Sequence, residues 1–256
     1  MANSPFGFNN QNSWNNNQGN NFDNNGNFSS GTAVGSADQA KTFITQVFSW
    51  MFGALLITAG LAYGIGNSSL MDMVFNPETH KLTPLFWVAT LCPLVVVLVM
   101  SFGFQRLSTV AMIGLFFLYA TLMGVSLSVI FFAYPPLIIV KAFGISAGTF
   151  GVMAVMGYIT KADLSKFGAI LYMALFGIII TSLLNIFLGS SRLDWIIDLV
   201  CLFVFTGLVA FKMQMIKNYA NQYGTSQPKM AVFMALTLYI TFINLFMTIL
   251  RLMNRR

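Results

Sequence analysis

From residue 43 onward the chain alternates long apolar runs with short polar breaks. The runs cover residues 43–65, 84–104, 109–133, 137–159, 167–188, 194–213 and 230–250. Each is close to the twenty or so residues a helix needs to cross about 30 Å of hydrocarbon. The last is the clearest. It carries no charge between Lys229 and Arg251 and is followed by Arg255 and Arg256, cations whose stems can snorkel to the headgroups. The pattern predicts an all-α integral membrane fold with seven transmembrane helices. Pro84 suits a first helical turn. Pro93 should kink the second helix, a neighbour satisfying the freed carbonyl, and Pro135-Pro136 marks the turn between the third and fourth. Asp163 precedes the fifth helix, where a carboxylate favours a helix start. Gly60 and Gly64, Ala120 and Gly124, and Gly144 and Gly148 keep a four-residue spacing that lets helices approach closely, although ordinary packing would also account for it.

Ahead of the runs, residues 1–38 read differently. Twelve Asn fall in the first thirty positions, with Phe6, Phe8, Trp14, Phe22 and Phe28 spread among them. Such a segment buries too little apolar surface to offset its ordering entropy, so a disordered Asn/Gly/Ser-rich tail is expected. The interspersed aromatics are of the prion-like type. No basic start with a short apolar stretch and a small-residue cleavage site is seen, so it does not read as a signal peptide. The expected organisation is a tail at 1–38 and a membrane domain at 39–256.

Composition narrows the reading. Hydrophobic residues make up 57% of the chain and charged residues 8%, with a mean hydropathy of +0.74, where soluble domains carry about 25% charged residues. The seven acids are balanced by the seven bases up to Arg192, so the net charge of +6 resides in Lys212, Lys217, Lys229, Arg251, Arg255 and Arg256. These cations are scattered between apolar runs and flank a membrane rather than forming a nucleic-acid surface. Lys41, Arg106, Lys161, Lys166, Lys212, Lys217 and Lys229 would share one side, facing Lys81, Lys141, Arg192 and the terminal arginines. Loop charge thus favours a cytoplasmic N-terminus, in a membrane such as the bacterial cytoplasmic membrane. Cys92 and Cys201 sit within apolar runs and read as small packing residues, without zinc or disulfide spacing. His80 reads as a loop residue.

Several chemistries lack their residues. No run contains a histidine for an intramembrane serine protease. The seventh has no interior lysine for a retinal Schiff base, and there is no phosphate loop or metal cluster. The chain is therefore not expected to be an enzyme, and no cofactor is expected. Ionisable groups within the membrane are functional candidates by default. Lys212, near the end of the sixth run, is either such a group or a snorkelling anchor, and Arg106, after the second, is open to the same two readings. Asp194 and Asp198 share a face at i, i+4 spacing and read as charges at a helix start rather than an ion site.

Four stretches carry a family resemblance. They are residues 143–165, with Gly144-Ile145-Ser146-Ala147-Gly148 and Thr160-Lys161-Ala162-Asp163-Leu164-Ser165; Asn185-Ile186-Phe187; residues 204–217; and residues 238–251, with Leu238-Tyr239-Ile240-Thr241-Phe242-Ile243-Asn244. Together they resemble the bacterial branch of the Bax inhibitor-1 family. The resemblance implies a bundle with the seventh helix central and the other six around it, and a pH-sensitive calcium leak. It further implies an aspartate on each of the sixth and seventh helices sharing a proton, linked to a basic residue after the second. Two adjacent carboxylates titrate as one unit, which is a workable pH sensor.

Here that gate position holds Lys212, Thr241 and Arg106, with Asn244 as a further polar contact on the seventh helix. A cation approaching an ammonium to 5 Å, at an effective dielectric of about 20, meets a repulsion of about 3 kcal/mol per unit charge. The expected function is therefore a calcium or other cation leak channel whose pH gating is altered or lost. The competing expectation is a non-conducting regulator of membrane-protein quality control or stress response, engaging a membrane protease or other cytoplasmic partner through residues 1–38. A weaker third expectation is an anion site at Lys212 and Arg106.

Overall fold

The computed structural model describes residues 31–68, 75–76 and 81–254; His80 and residues 1–30 of the expected tail lie outside them. Seven long helices and one short turn follow in order: α1 (Gly31–Gly66), α2 (Pro84–Phe102), α3 (Thr109–Leu127), α4 (Ile130–Ala133), α5 (Pro136–Ile159), α6 (Ser165–Leu188), α7 (Ser191–Tyr223) and α8 (Pro228–Asn254). Between α1 and α2 a two-residue antiparallel pairing, β1 (Phe75–Asn76) with β2 (Lys81–Leu82), sets Phe75 opposite Leu82. The first apolar run, residues 43–65, lies within α1. Among the described residues six segments are long and apolar enough to span a bilayer, α3 and α4 counting together as Thr109–Ala133; the shorter apolar helix is Thr90–Phe102 of α2.

Local chemistry fixes most ends. The Ser108 hydroxyl accepts from the Ala111 N–H at the start of α3, satisfying one of the amides a helix start leaves open. The third run, expected as a single helix over 109–133, forms one span with a tightened turn at Ser128 and Val129, between α3 and α4. There Ser128 donates its hydroxyl to the Val125 carbonyl at 2.7 Å, and its N–H is shared between Gly124 and Val125. Such back-bonding tightens the backbone and bends a helix, and α4 resumes after it.

α7 departs furthest from expectation. It was expected over 194–213, yet it runs 33 residues to Tyr223, about 50 Å at 1.5 Å per residue. The apolar run stops at Met213, but Ile216 and Ala220 continue a buried face, and no Gly or Pro intervenes before Gly224. That glycine, at φ 55, ends the helix in a conformation other residues resist. Lys212 therefore lies well inside α7 rather than near its end.

α8 is the hub. Consecutive residues such as Met234-Ala235-Leu236 and Thr241-Phe242-Ile243 are all buried, so it is enclosed on every side. It packs against α1, α3, α5 and α7. The expected ring of six is thus modified: α6 packs mainly on α7 and α2 on α3. Both stand outside the inner ring, and α6 turns Phe176, Ile180 and Phe187 outward, as lipid-facing helices do. Close approach rests on glycines the spacing only partly marks. A Cβ on Gly157 would lie 2.2 Å from the Ala210 carbonyl oxygen, so α5 and α7 cross backbone to backbone; one on Gly124 would meet Leu61 and Thr58 of α1 within 3.0 Å. Gly60, Gly64, Gly144 and Gly148 face open space instead.

Candidate functional site at the α7–α8 seam

α7 and α8 are neighbours in sequence and lie side by side, so a polar residue on the inner face of one must find its partner on the other. Lys212 is 8% exposed and Thr241 1%. The Lys212 ammonium donates to the Thr241 hydroxyl at 2.6 Å and to the Thr237 carbonyl at 2.9 Å. Thr241 in turn donates its hydroxyl to the same carbonyl, one helical turn back, at 2.8 Å. Three polar groups thus close a ring in an otherwise apolar seam. Lys212 thus points inward to α8 rather than outward from the bundle. The two ion pairs among the described residues, Lys41 with Asp38 and Arg251 with Asp198, do not involve it. Its charge is held by neutral oxygens alone, an expensive arrangement in a low-dielectric interior.

Arg106 is placed elsewhere. It is exposed in the turn after α2, where its N–H donates to the Gly103 carbonyl. The cation that engages this turn from the bundle is Lys229, in the first turn of α8. Its ammonium donates to the Leu107 carbonyl at 2.6 Å and stands 4.7 Å from the centre of the Phe104 ring, a cation–π distance. Asn244 bonds within its own helix, donating to the Ile240 carbonyl at 2.9 Å. Lys212 and Thr241 are therefore brought together, while Arg106 and Asn244 turn to other partners.

Two further residues of α7 extend the site and were not singled out in the sequence. Gln214 is buried; its carbonyl oxygen accepts from the Leu164 N–H at 2.8 Å and its amide donates to the Ala162 carbonyl at 2.7 Å. It clamps the loop between α5 and α6. Lys217 donates to the Tyr158 carbonyl at 2.7 Å, at the end of α5. Both fall in the stretch 204–217 that carries the family resemblance, but their contacts became readable only once α7 was seen to continue. In the clamped loop Asp163 accepts from the Ser165 N–H at 2.9 Å. The hydroxyl and N–H of Ser165, helped by Lys166, hold its carboxyl below the usual range.

The opposite end of the seam carries Asp198 and Arg251. Their side chains meet at 3.1 Å, with Asp198 buried and Arg251 about half exposed. Asp198 was expected as a charge at the helix start. That place is taken by Ser190, whose hydroxyl accepts from the Leu193 N–H, while Asp194 accepts from the Asn185 amide. Asp198 lies two turns further in and bridges to α8. Fourteen residues, about 21 Å along α7, separate it from Lys212. Among the described residues no group of acids, histidines or cysteines is arranged to hold a metal ion.

Known proteins are similar to this chain in sequence. The family model described as inhibitor of apoptosis-promoting Bax1 matches residues 40–256. The inner membrane protein YbhL of Escherichia coli K12 is 38% identical over 221 residues, covering 84% of this chain and 92% of the relative. An uncharacterized protein of Deinococcus radiodurans is 37% identical over 221 residues, covering 86% and 93%. An uncharacterized membrane protein of Streptococcus pyogenes is 38% identical over 225 residues, covering 85% and 96%. With matches of this length and the helices arranged as described, the chain is an integral membrane protein that belongs to the Bax inhibitor-1 family.

Proposed function

We propose that this chain is a seven-span cation leak pathway of the Bax inhibitor-1 type, oriented with its N-terminus in the cytoplasm, in which a lysine latch stands where the carboxylate gate would be. The observation that carries the reading is the buried hydrogen bond from Lys212 to Thr241. The ammonium sits against the Thr237 carbonyl and the Thr241 hydroxyl, the polar oxygens a passing cation would meet at this level of the seam. It acts as a tethered cation and keeps the α7–α8 seam closed. Opening then requires the two helices to part rather than a carboxylate pair to change its proton count, so flux should follow latch strength and lack the acid-dependent step of a shared-proton pair.

Calcium efflux from proteoliposomes between pH 5 and 8 tests this. Wild type is expected to conduct weakly without a carboxylate-type pH step, and the Lys212→Asp, Thr241→Asp double variant to gain one. Wild-type vesicles that stay tight at every pH would remove the leak from the proposal. A second reading is favoured by the same ammonium, which has no acid partner in the seam. It is a non-conducting regulator whose residues 1–38 engage a membrane protease or another cytoplasmic partner. Under it, removing residues 1–38 changes the turnover of the protein or what it co-purifies with, while vesicles stay tight.

A further inference from the structure

The corner between α5 and α6 wraps around α7 at the level of Lys212. Ala210, Gln214 and Lys217 keep an i, i+4, i+7 spacing, which puts them on one face of α7. Each meets the corner. Ala210 lies against Gly157 backbone to backbone. The Gln214 side chain bonds both the Leu164 N–H and the Ala162 carbonyl, and the Lys217 ammonium donates to the Tyr158 carbonyl. On the α6 side the Phe211 ring packs on Gly168, where a Cβ would lie 2.5 Å from it. Residues 157–168 thus form a collar on α7, fastened by hydrogen bonds from Gln214 and Lys217.

Lys212 projects from the other side. It stands two residues from Gln214, about 200° around the helix, and bonds Thr237 and Thr241 of α8. At this level α7 is therefore gripped from opposite sides. A rotation of roughly 30° carries a side-chain end, about 5–6 Å from the helix axis, through about 3 Å, which takes it out of hydrogen-bonding distance. Such a turn withdraws Lys212 from α8 and pulls Gln214 off the loop in the same movement. Of the two grips, the collar can be reached from water: Lys161, Ala162 and Asp163 are exposed, whereas Thr241 is buried. We propose that the α5–α6 corner controls the Lys212–Thr241 latch, with Gln214 and Lys217 as positioning residues that set the rotation of α7. This control rests on the latch described under the proposed function and is independent of whether the protein conducts.

Reductive methylation of the full chain in proteoliposomes, with formaldehyde and a borane reductant, reads the latch directly when each lysine is quantified by peptide mass spectrometry. Wild-type Lys212 should label far more slowly than exposed Lys166. Gln214→Leu should raise the Lys212 rate roughly tenfold, through loss of the two hydrogen bonds that Gln214 makes. Lys217→Met, at a half-exposed position outside the core, removes one bond and should raise it roughly threefold. Lys229, bonded to the Leu107 carbonyl, should label at an unchanged rate in both variants, because a general loosening of the bundle would expose it as well. Unchanged Lys212 labelling in the two variants, or an equal rise at Lys229, would overturn the control and leave the latch standing. Wild-type Lys212 labelling as fast as Lys166 would overturn the latch and its control together.

Discussion

Lys212 of α7 and Thr241 of α8 meet through a 2.6 Å hydrogen bond within a seam that is otherwise almost entirely apolar. The ammonium depends on that hydroxyl and on one carbonyl for its solvation. Thr241→Val keeps the volume and removes the acceptor, and should destabilise the protein by about 1–3 kcal/mol, the cost of a buried polar group left without its partner. Lys212→Met removes the charge itself. In the double variant much of the Thr241→Val cost should vanish, giving a coupling energy of about 0.5–3 kcal/mol in a double-mutant cycle of thermal unfolding in detergent. Additive effects would show that the two groups do not act as a unit.

The Asp198–Arg251 pair should respond asymmetrically. Removing Arg251 leaves a buried carboxylate exposed to low dielectric. Removing Asp198 leaves a guanidinium that already reaches solvent. Arg251→Met is therefore expected to cost about 1–3 kcal/mol, lowered from the fully buried case by the exposure of the arginine. Asp198→Asn should cost clearly less. Equal losses in the two unfolding curves would contradict this assignment.

Glycine positions give a contrast independent of charge. Gly157→Ala forces a methyl into the Ala210 backbone and should cost about 3 kcal/mol or more, since neither backbone can yield. Gly144→Ala meets no atom within 4 Å and should be neutral or slightly stabilising, because alanine is the better helix former. Thermal melts of the two single variants distinguish these outcomes directly.

The α5–α6 loop should loosen when its clamp is removed. Gln214→Leu strands the Leu164 N–H and the Ala162 carbonyl, and hydrogen exchange across residues 160–165 should rise roughly tenfold. The same loop should weaken in acid. The Asp163 carboxyl is held below its usual range in the folded state. Its contribution is therefore complete above the unfolded carboxylate pKa and is lost as the pH falls through the lowered folded value. Asp163→Asn should remove that acid limb from the exchange of the loop.

What could be read from the sequence divides along physical lines. Membrane spans announce themselves through length and hydropathy, so the helices appear where the apolar runs stand. The tightened turn at Ser128 and the extension of α7 to Tyr223 were not legible, because hydroxyl back-bonding leaves hydropathy unchanged and the polar residues around Ile216 and Ala220 lower it. Lys212 and Thr241 were legible as a pair only through the family resemblance. That they touch, while Arg106 stays outside, depends on the rotation of α7 against α8. Periodicity could not supply that rotation, since both helices are apolar on most faces. Gln214 was missed for a related reason: its role is defined by a loop fifty residues away.

α8 follows every other helix in the chain, and yet α1, α3, α5 and α7 all close upon it. A ribosome delivers segments in order, at about 5–20 residues per second. The earlier helices must therefore wait in the membrane, their small and polar inner faces uncovered, until the segment that joins them has been inserted. A chain interrupted before that moment has α1 against α3 and α5 against α7, but lacks the element on which all four close. Completion of the bundle is thus a timed event in biosynthesis, set by the arrival of a single element.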